Sequence, residues 1–356
     1  MDSEFGGGGG SRDIKDLEKK QKLPKDLEKA VDAVFFDGSN SDGWYFTLGT
    51  AERIENVLNL FMILRIPNVG TFIAPEMLKS TNVPSEGKSN TWAGAGWEVS
   101  CVEPMKKWLI SFEGFITPSP GSQLFTQVGE EQPDPNAKLV PAKINLEWTN
   151  YGEHFDFDLD ISPTAIAHSM AIEPWSRELF DKAKKSHQTH YEQFGFLNGT
   201  YIVDGTSYGP IRLTSMRDHT VAKFRRWSDI RRYIMMIYHL EDGTCIHTSV
   251  ISMPETVFTH LEFGYIITAD KKKYAVDRVH FQLPHHGEDK NFPSKFHYSF
   301  DAAHLHYDVE VEIIDTASFK MGLDLACQVN ENMALFNANG LKGYGFAEVE
   351  YRISPY

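Results

Sequence analysis

Apolar and polar side chains alternate along much of the chain, which is the pattern of strands with one buried face. Between residues 143 and 159, Ile144, Leu146 and Trp148 fall on one side, with polar residues between them. The alternation recurs in the second half, over residues 274–281, 304–314 and 345–353. The pattern predicts β-strands over most of the chain.

Turn residues separate these segments at short intervals. Asp204-Gly205 follows one apolar run and Asp242-Gly243 lies between two others, and Asp-Gly is among the strongest signals for a tight hairpin. Residues 51–65 fit a helix or a strand, and their β surroundings favour a strand. Many short strands joined by tight turns predict an all-β protein built from antiparallel barrels or sandwiches, with a few short helices.

Two segments show helical spacing instead. Residues 13–34 carry leucines and alanines at helical intervals, and Pro24 divides them into two short pieces. Residues 173–189, with Pro174 near the start, predict a connecting helix. Residues 1–12 contain five consecutive glycines and look like an artificial linker. We therefore expect a linker at 1–12, an N-terminal helical segment at 13–34, an N-terminal β domain at 35–172, a helical connector at 173–189 and a C-terminal β domain at 190–356.

Composition narrows the choice of partners. The chain has 49 acidic and 35 basic residues, a net charge of −14, whereas a nucleic-acid surface needs concentrated Lys and Arg. The basic cluster at 223–232 is small against that charge, so no nucleic acid is expected. Apolar runs are far shorter than the roughly 20 residues of a spanning helix, so no membrane span is expected. Cys101, Cys245 and Cys327 lie far apart, which predicts free buried thiols in a reducing, cytoplasmic compartment.

Histidine is confined to one part of the chain. All 14 histidines lie between His154 and His306. Imidazole is the side chain best suited to proton transfer near neutral pH and to metal ligation. We therefore expect any such chemistry in the later part of the chain, with the earlier part as scaffold and pocket wall.

The first candidate site is Arg217-Asp218-His219, at the end of an apparent strand. A carboxylate beside an imidazole fixes the tautomer and raises the basicity, which makes an acid–base unit. Neighbouring strand residues point to opposite faces, so Asp218 need not touch His219. A polar strand end with local hydrogen bonds is the alternative interpretation.

The second candidate is a metal site. On a strand, His304, His306 and Glu310 would share one face, and histidine with carboxylate suits transition metals. The spacing resembles the first motif of metal-binding cupins, although the preceding glycine is absent. A third histidine would have to come from His280, His285 or His286. A solvated sheet face is the alternative.

Other catalytic motifs are absent. The sequence contains no G-x-S-x-G elbow, phosphate-binding P-loop, G-x-G-x-x-G turn or H-E-x-x-H helix. These absences remove support for hydrolases of the elbow type, nucleotide hydrolases, dinucleotide-binding enzymes and zinc proteases. We expect no cofactor.

Three stretches resemble a known group of proteins. Residues 103–114 (EPMKKWLISFEG), residues 190–195 (HYEQFG) and the pairs Gly199-Thr200 and Asp204-Gly205 resemble an uncharacterised animal family linked to phosphoenolpyruvate-synthase-like proteins. That family is distantly similar to the carotenoid 1,2-hydratase (hydroxyneurosporene synthase) and AttH-like group, and to fungal Diels–Alderases. The resemblance covers residues 30–356 and implies two lipocalin-like β domains.

The hydratase group has an R-D-H-S-W-G-x-R-like run, which here reads Arg217-Asp218-His219-Thr220-Val221-Ala222-Lys223-Phe224-Arg225. The resemblance implies that His219 takes part in protonating the substrate. We expect the catalytic residues to be His219, Asp218 as its acid–base partner and Arg217, which would orient a polar end of the substrate. Val221 stands where the group has Trp, which removes a ring that could stabilise a cation. We expect the substrate to contact four further residues: Arg225, Trp227, Tyr238 and Trp108.

Three functions fit these residues. The first is a cofactor-independent enzyme of hydratase, isomerase or cyclase type, using acid–base chemistry on an isoprenoid, polyene or polyketide-like substrate in a β-domain pocket. The second is a non-catalytic carrier of a hydrophobic ligand, a common use of small β-barrels. The third is a cupin-like metal enzyme. The expected partner in the first two is a hydrophobic small molecule.

Overall fold

Burial alternates along the strands as the sequence pattern predicts. In the strand at Val140–Asn150, Ile144, Leu146 and Trp148 are buried while the residues between them face solvent. The structure is a computed structural model that describes residues 14–75, 82–122, 136, 138–285, 293–322 and 325–353. The expected linker at 1–12 and His286 lie outside the described residues.

The strands form two antiparallel groups, as predicted for an all-β protein. In chain order they are β1 Val31–Ser39, β2 Tyr45–Arg53, β3 Val57–Ile66, β4 Gly70–Ile73, β5 Asn82–Pro84, β6 Thr91–Gly94, β7 Trp97–Glu103, β8 Lys107–Pro118, β9 Val140–Asn150, β10 Phe155–Asp156, β11 Gln188–Val203, β12 Thr206–Ala222, β13 Arg232–Leu240, β14 Cys245–Ser252, β15 Leu261–Ile267, β16 Lys273–His280, β17 Lys295–Ala302, β18 Leu305–Met321, β19 Cys327–Ala338 and β20 Leu341–Arg352. The helices are α1 Ile14–Leu17, α2 Pro163–Ala171 and α3 Arg177–Lys185.

Strands β1 to β12 form one sheet, called here the first sheet. Its pairings run from β1 through β2, β3, β4, β8, β9, β11 and β12, and β12 pairs with β1 again. This circuit encloses an interior that contains Trp92, Trp97, Trp108 and Trp148, all buried. The first sheet therefore has an inside and an outside face.

Strands β13 to β20 form a closed barrel, called here the barrel. Its interior is a separate apolar core that includes Tyr238, Phe300 and Phe336. A third apolar cluster joins the two groups of strands and includes Phe194, Met216 and Tyr265. This contact, where β11 and β12 face β14 and β15, is called here the seam.

The tight turns are confirmed. Asp204 and Gly205 have φ of 51° and 77°, and they join β11 to β12. Positive φ at both positions is the geometry of the hairpin turn that Asp-Gly favours. Residues 51–65 are the end of β2, a short turn and β3, so the preference for strand is also confirmed.

The structure divides the chain differently from the sequence in one respect. Strands β11 and β12, which follow residue 188, complete the first sheet by pairing with β9 and β1. The change from the first sheet to the barrel falls between residues 223 and 231 instead of within 173–189. Local signals could not show this, because the pairing of β12 with β1 is non-local.

The helices are shorter than expected. Within 13–34, α1 is a single turn, and β1 already begins at Val31. The connecting helix is α3, whose first turn is capped by Ser176. The sequence analysis missed α2, which Ser162 caps with Pro163 at its first position. Among the described residues, none of the helices is long and apolar enough to cross a bilayer.

Candidate functional site

Arg217 and His219 point into the interior of the first sheet. They lie two residues apart on β12, so they share a face, and both are almost completely buried. On the neighbouring strand β11, Gln193 and Tyr191 lie opposite them and face the same interior. The strand period thus places two potentially charged side chains among the tryptophans of the core.

Arg217 forms a two-pronged ion pair with Glu18. The Nη1 atom lies 2.9 Å from Oε1 and the Nη2 atom 3.1 Å from Oε2. The guanidinium carbon lies 4.9 Å from the ring centre of Trp148 and 5.3 Å from that of Trp108. Guanidinium suits this environment because it packs on aromatic faces while its N–H groups bind a carboxylate in parallel.

Glu18 enters this interior from the segment that follows α1. Besides Arg217, its carboxylate accepts hydrogen bonds from the Met105 N–H at 2.8 Å, the Trp108 Nε1–H at 3.2 Å and the Tyr191 O–H at 2.6 Å. Burial alone would raise the pKa of Glu18, but Arg217, Tyr191 and His219 outweigh it, so the pKa is lowered. Glu18 is therefore held as a carboxylate.

His219 connects Tyr191 to a second carboxylate. Its Nδ1 lies 2.8 Å from the Tyr191 hydroxyl and its Nε2 lies 2.7 Å from Asp32 Oδ1 on β1. The rings of Trp92 and Trp108 stand at right angles to the imidazole, at 5.3 and 6.3 Å. The acid–base pair in this interior is thus His219 with Asp32.

The four groups Glu18, Tyr191, His219 and Asp32 form a series joined by three hydrogen bonds. Each bond needs one proton, and the tyrosine hydroxyl supplies only one. The other two protons are supplied by His219 and Asp32, so the series holds protons that can move between hydrogen-bonded neighbours.

Asp218 points away from this series, so the structure does not pair it with His219. It lies on the outside face of β12, opposite Glu192 of β11, and burial raises its pKa although His190 opposes this. The sequence placed an acid–base unit on adjacent residues. The structure assigns the carboxylate partner of His219 to Asp32, because only alternate residues of a strand share a face.

A second histidine–carboxylate group lies at the seam. Glu192 Oε2 is 2.5 Å from Nδ1 of His247 on β14, and Oε1 is 3.1 Å from Nε2 of His190. Burial would raise the pKa of Glu192, but His247 and His190 outweigh it and lower the pKa to about 2. The sequence analysis did not find this group, because its members come together only when the barrel packs against the first sheet.

The outer wall of the barrel adds buried acids near the seam. Glu331 and Glu348 lie opposite each other on β19 and β20, and Tyr233 donates a hydrogen bond to Glu348. Burial raises the pKa of Glu348 to about 7, and the charge of Asp218 contributes. Burial also raises the pKa of Glu331. These acids tend to stay protonated, in contrast to Glu18.

The four expected substrate-binding residues divide among three places. Trp108 lies in the interior with Arg217 and His219. Tyr238 lies inside the barrel, stacked on Phe336 at 4.1 Å. The other two lie on the connector between the first sheet and the barrel. Trp227 lines a cavity of 320 Å³ together with Arg53, Arg226 and others. The backbone of Arg225 forms hydrogen bonds with the Arg53 side chain and the Lys29 carbonyl.

The expected metal set is not brought together as proposed. His304 occupies the turn between β17 and β18 with a φ of 63°, and Glu310 accepts a hydrogen bond from Asn337. His306 instead neighbours Asp301 at 2.6 Å, and Asp301 also contacts His280 at 2.8 Å. One ligand atom each from His280, Asp301 and His306 lies within 4.8 Å of the other two, a spacing that could hold a metal ion. This group lies on the exposed face of the barrel.

The three cysteines are free and buried, as predicted. Cys101 lies in the first sheet, Cys245 at the seam and Cys327 on β19. Burial raises the pKa of the Cys101 thiol to about 12. A nucleophilic role for this thiol is therefore not supported.

Solved structures share the fold at very low sequence identity. An AttH-like protein from Nitrosomonas europaea is 9% identical, with a TM-score of 0.53 and coverage of 93% of this chain and 96% of that one. CghA, solved with Sch210972, is 9% identical, with a TM-score of 0.51 and coverage of 91% and 89%. Such likeness supports the fold alone, and it confirms the predicted similarity to the AttH-like architecture.

Kievitone hydratase from Nectria haematococca also matches, at 8% identity with a TM-score of 0.48, over 92% of this chain and 93% of that one. None of these three matches concerns animal proteins or phosphoenolpyruvate synthases, so that part of the resemblance stays a prediction. No curated protein matches the sequence. The sequence model of a family of unknown function, DUF8627, matches residues 5–351, and the chain therefore belongs to that family.

Proposed function

We propose that the chain is a cofactor-independent enzyme that moves a proton to and from an apolar substrate inside the first sheet. The observation that supports this most is the buried series Asp32–His219–Tyr191, which holds a transferable proton among tryptophan rings. Acid–base catalysis needs a donor, a reserve of protons and a water-poor site. Here Tyr191 is the donor, His219 the reserve and Asp32 the carboxyl group that orients the imidazole.

The chemistry follows from the order of these groups. An oxygen of a conjugated carbonyl or carboxyl group on the substrate takes the place of Glu18 Oε1 beside Tyr191. Tyr191 donates its proton to that oxygen, and His219 replaces the proton through Nδ1. The adjacent double bonds become electrophilic, so that water or a substrate carbon can add to them. In a hydration, the proton that water loses ends on the neighbouring carbon. When the carbonyl re-forms, the oxygen returns its proton to Tyr191 and His219.

Arg217 fits a binding role in this scheme. Its guanidinium carbon lies 5.7 Å from the centre of the Tyr191 ring, and its positive charge would stabilise negative charge on the polar end of the substrate. The tryptophans around it would pack on an apolar carbon skeleton, as in an isoprenoid, polyene or polyketide-like molecule. CghA was solved with Sch210972, which supports ligand binding by this architecture.

The experiment begins with mass spectrometry of the organic extract of the purified protein, to identify a bound molecule. Compounds of that class are then incubated with the wild type and with His219→Gln. We expect product formation to fall by a factor of about 10² or more in this variant, the range of general acid–base catalysis. His306→Gln, which changes an exposed histidine on the barrel, is the matched control and should leave the rate unchanged.

Two outcomes would overturn the proposal. One is equal turnover by the wild type and by folded His219→Gln. The other is a co-purifying ligand that the wild type never converts. The latter would establish the carrier function, which an enclosed interior rich in tryptophan also fits.

A further inference from the structure

The atoms around the Glu18 carboxylate are all hydrogen-bond donors. Oε1 accepts from Arg217 Nη1 and the Tyr191 hydroxyl, and Oε2 accepts from Arg217 Nη2, the Met105 N–H and the Trp108 Nε1–H. All of these donors belong to the first sheet or its turns, whereas Glu18 comes from outside it. The sheet thus contains a preformed receptor for one planar group with two anionic oxygens.

The segment that supplies Glu18 is only locally organised. The backbone N–H groups of Lys19, Leu27 and Ala30 bond within the segment, to residues 16, 24 and 27. Side-chain and backbone contacts of Lys20 and Gln21 attach it to the sheet. Segments attached in this way open at a lower free energy than the strands beneath them.

Opening the segment would leave the Arg217 charge without an anion, with only the neutral acceptors Gln193 Oε1 at 3.0 Å and Met105 Sδ at 3.6 Å. An unpaired buried charge is strongly disfavoured, so the open state would bind an anion of the same shape. Tyr191 and His219 stay beside that position because they belong to β11 and β12. An anion bound there would lie next to the proton series.

We propose that Glu18 is an internal stand-in for the substrate, and that the substrate carries a carboxylate that binds Arg217, Tyr191, Trp108 and the Met105 N–H in its place. The inference rests on the proposed function, since it places the substrate in the same interior. It adds the chemical class of the polar group and the displacement of the segment around Glu18 on binding.

The test compares two probes of nearly equal shape, 2-naphthylacetate and the neutral 2-naphthylacetamide. Their binding to the wild type, Glu18→Ala and Asp16→Ala is measured by calorimetry. Asp16 is the matched control because it lies on the same segment, two residues away, and its side chain is exposed. We expect Glu18→Ala to bind the carboxylate probe at least roughly tenfold more tightly than the wild type or Asp16→Ala binds it. Glu18→Ala should also bind the carboxylate roughly tenfold more tightly than it binds the amide.

A second measurement uses the wild type, so that it does not depend on the folding of Glu18→Ala. Trypsin cleaves after lysine, and Lys19, Lys20 and Lys22 lie in the segment. The carboxylate probe should speed cleavage at these sites several-fold by displacing the segment, and the amide should not. If Glu18→Ala does not fold, the cleavage rates of the wild type with the two probes alone test the inference.

Equal binding of carboxylate and amide by folded Glu18→Ala, or no faster cleavage with the carboxylate, would overturn the inference. Its failure is distinguishable from that of the proposed function. Carboxylate binding without turnover would support the inference and count against the enzyme. Turnover of a substrate that lacks a carboxylate, with loss of activity in His219→Gln, would support the enzyme and overturn the inference.

Discussion

The interiors of the first sheet and the barrel differ in where buried charge lies, although both are enclosed by antiparallel strands. In the middle of the barrel the polar groups are neutral, since Tyr298 bonds the hydroxyls of Tyr238 and Thr248. The buried charged residues on the inner face of the barrel stand close to strand ends: Arg232, Glu262 and Lys320. Inside the first sheet, Arg217, Glu18, Asp32 and His219 instead form one buried group. The middle of the barrel is packed without charge, so this group is better explained by function than by the needs of the architecture.

Breaking the buried ion pair should have the largest effect. We expect Arg217→Met to lower the free energy of unfolding by about 3–5 kcal/mol, because it leaves Glu18 buried without its partner. Urea denaturation measures this. The matched control is Lys295→Met, which breaks an exposed pair with Glu312 and should cost less than about 1 kcal/mol.

A double variant tests whether the cost comes from the unpaired charge. Glu18→Leu combined with Arg217→Met removes both charges and should regain most of the lost stability. A cost below about 1 kcal/mol for Arg217→Met alone would contradict the distinction between the two interiors.

The contribution of Glu348 to stability should fall as the pH rises. Its ordinary pKa of 4.5 is raised to about 7 by burial, so this contribution is complete below pH 4.5 and is lost as the pH rises to 7. From the size of the shift we expect a fall of about 2–3 kcal/mol in this contribution between pH 5 and 8. Burial lowers the pKa of His239 to about 3, and its contribution changes in the opposite direction below pH 6.5, so the Glu348 contribution is measured as a difference between variants.

Urea titrations at a series of pH values test this expectation. The free energy of unfolding of Glu348→Gln should rise relative to that of the wild type by about 2–3 kcal/mol between pH 5 and 8, while that of Glu312→Gln, at an exposed position, should keep a constant difference. A difference between Glu348→Gln and the wild type that stays constant from pH 5 to 8 would refute the assignment.

Removing one hydroxyl from each interior gives a smaller, direct comparison. Tyr191→Phe interrupts the series between Glu18 and His219 and should cost about 2 kcal/mol, because charged partners are left unsatisfied. Tyr238→Phe leaves Tyr298 its bond to Thr248 and should cost about 1 kcal/mol or less. Equal costs in urea denaturation would mean that the two interiors are energetically alike.

The smallest effect should come from the exposed face of the barrel. Asp301 raises the pKa of His306 above its ordinary value of 6.5, so Asp301→Asn should lower that pKa. Proton NMR of the imidazole signals measures it. His187, whose pKa is raised by Asp158 elsewhere, is the internal control and should not change. The stability should change by less than about 0.5 kcal/mol.

The sequence was sufficient for the parts of the fold that depend on local signals. Alternation located the strands, and Asp204-Gly205 located the hairpin that joins β11 to β12. The allocation of β11 and β12 to the first sheet was not predictable in this way, since no local pattern specifies which distant edge a strand joins.

The site was predictable only in part, for the same reason. Arg217 and His219 were found from their shared strand, but their partners Glu18 and Asp32 lie 199 and 187 residues earlier in the chain. Tyr238 was expected in the pocket as a tyrosine downstream of the run at residues 217–225, and it lies inside the barrel instead. Glu18 was assigned to a helical segment outside the β domains, which concealed its role.

The pairing of β1 with β12 also affects how the chain is made. A ribosome adds about 5–20 residues per second, so roughly 10–40 seconds separate the synthesis of Ser39 from that of Ala222. Throughout that interval, one edge of β1 has no native partner and is open to pairing with other chains. Mispairing at this edge is therefore a hazard of synthesis that ends only when the twelfth strand arrives.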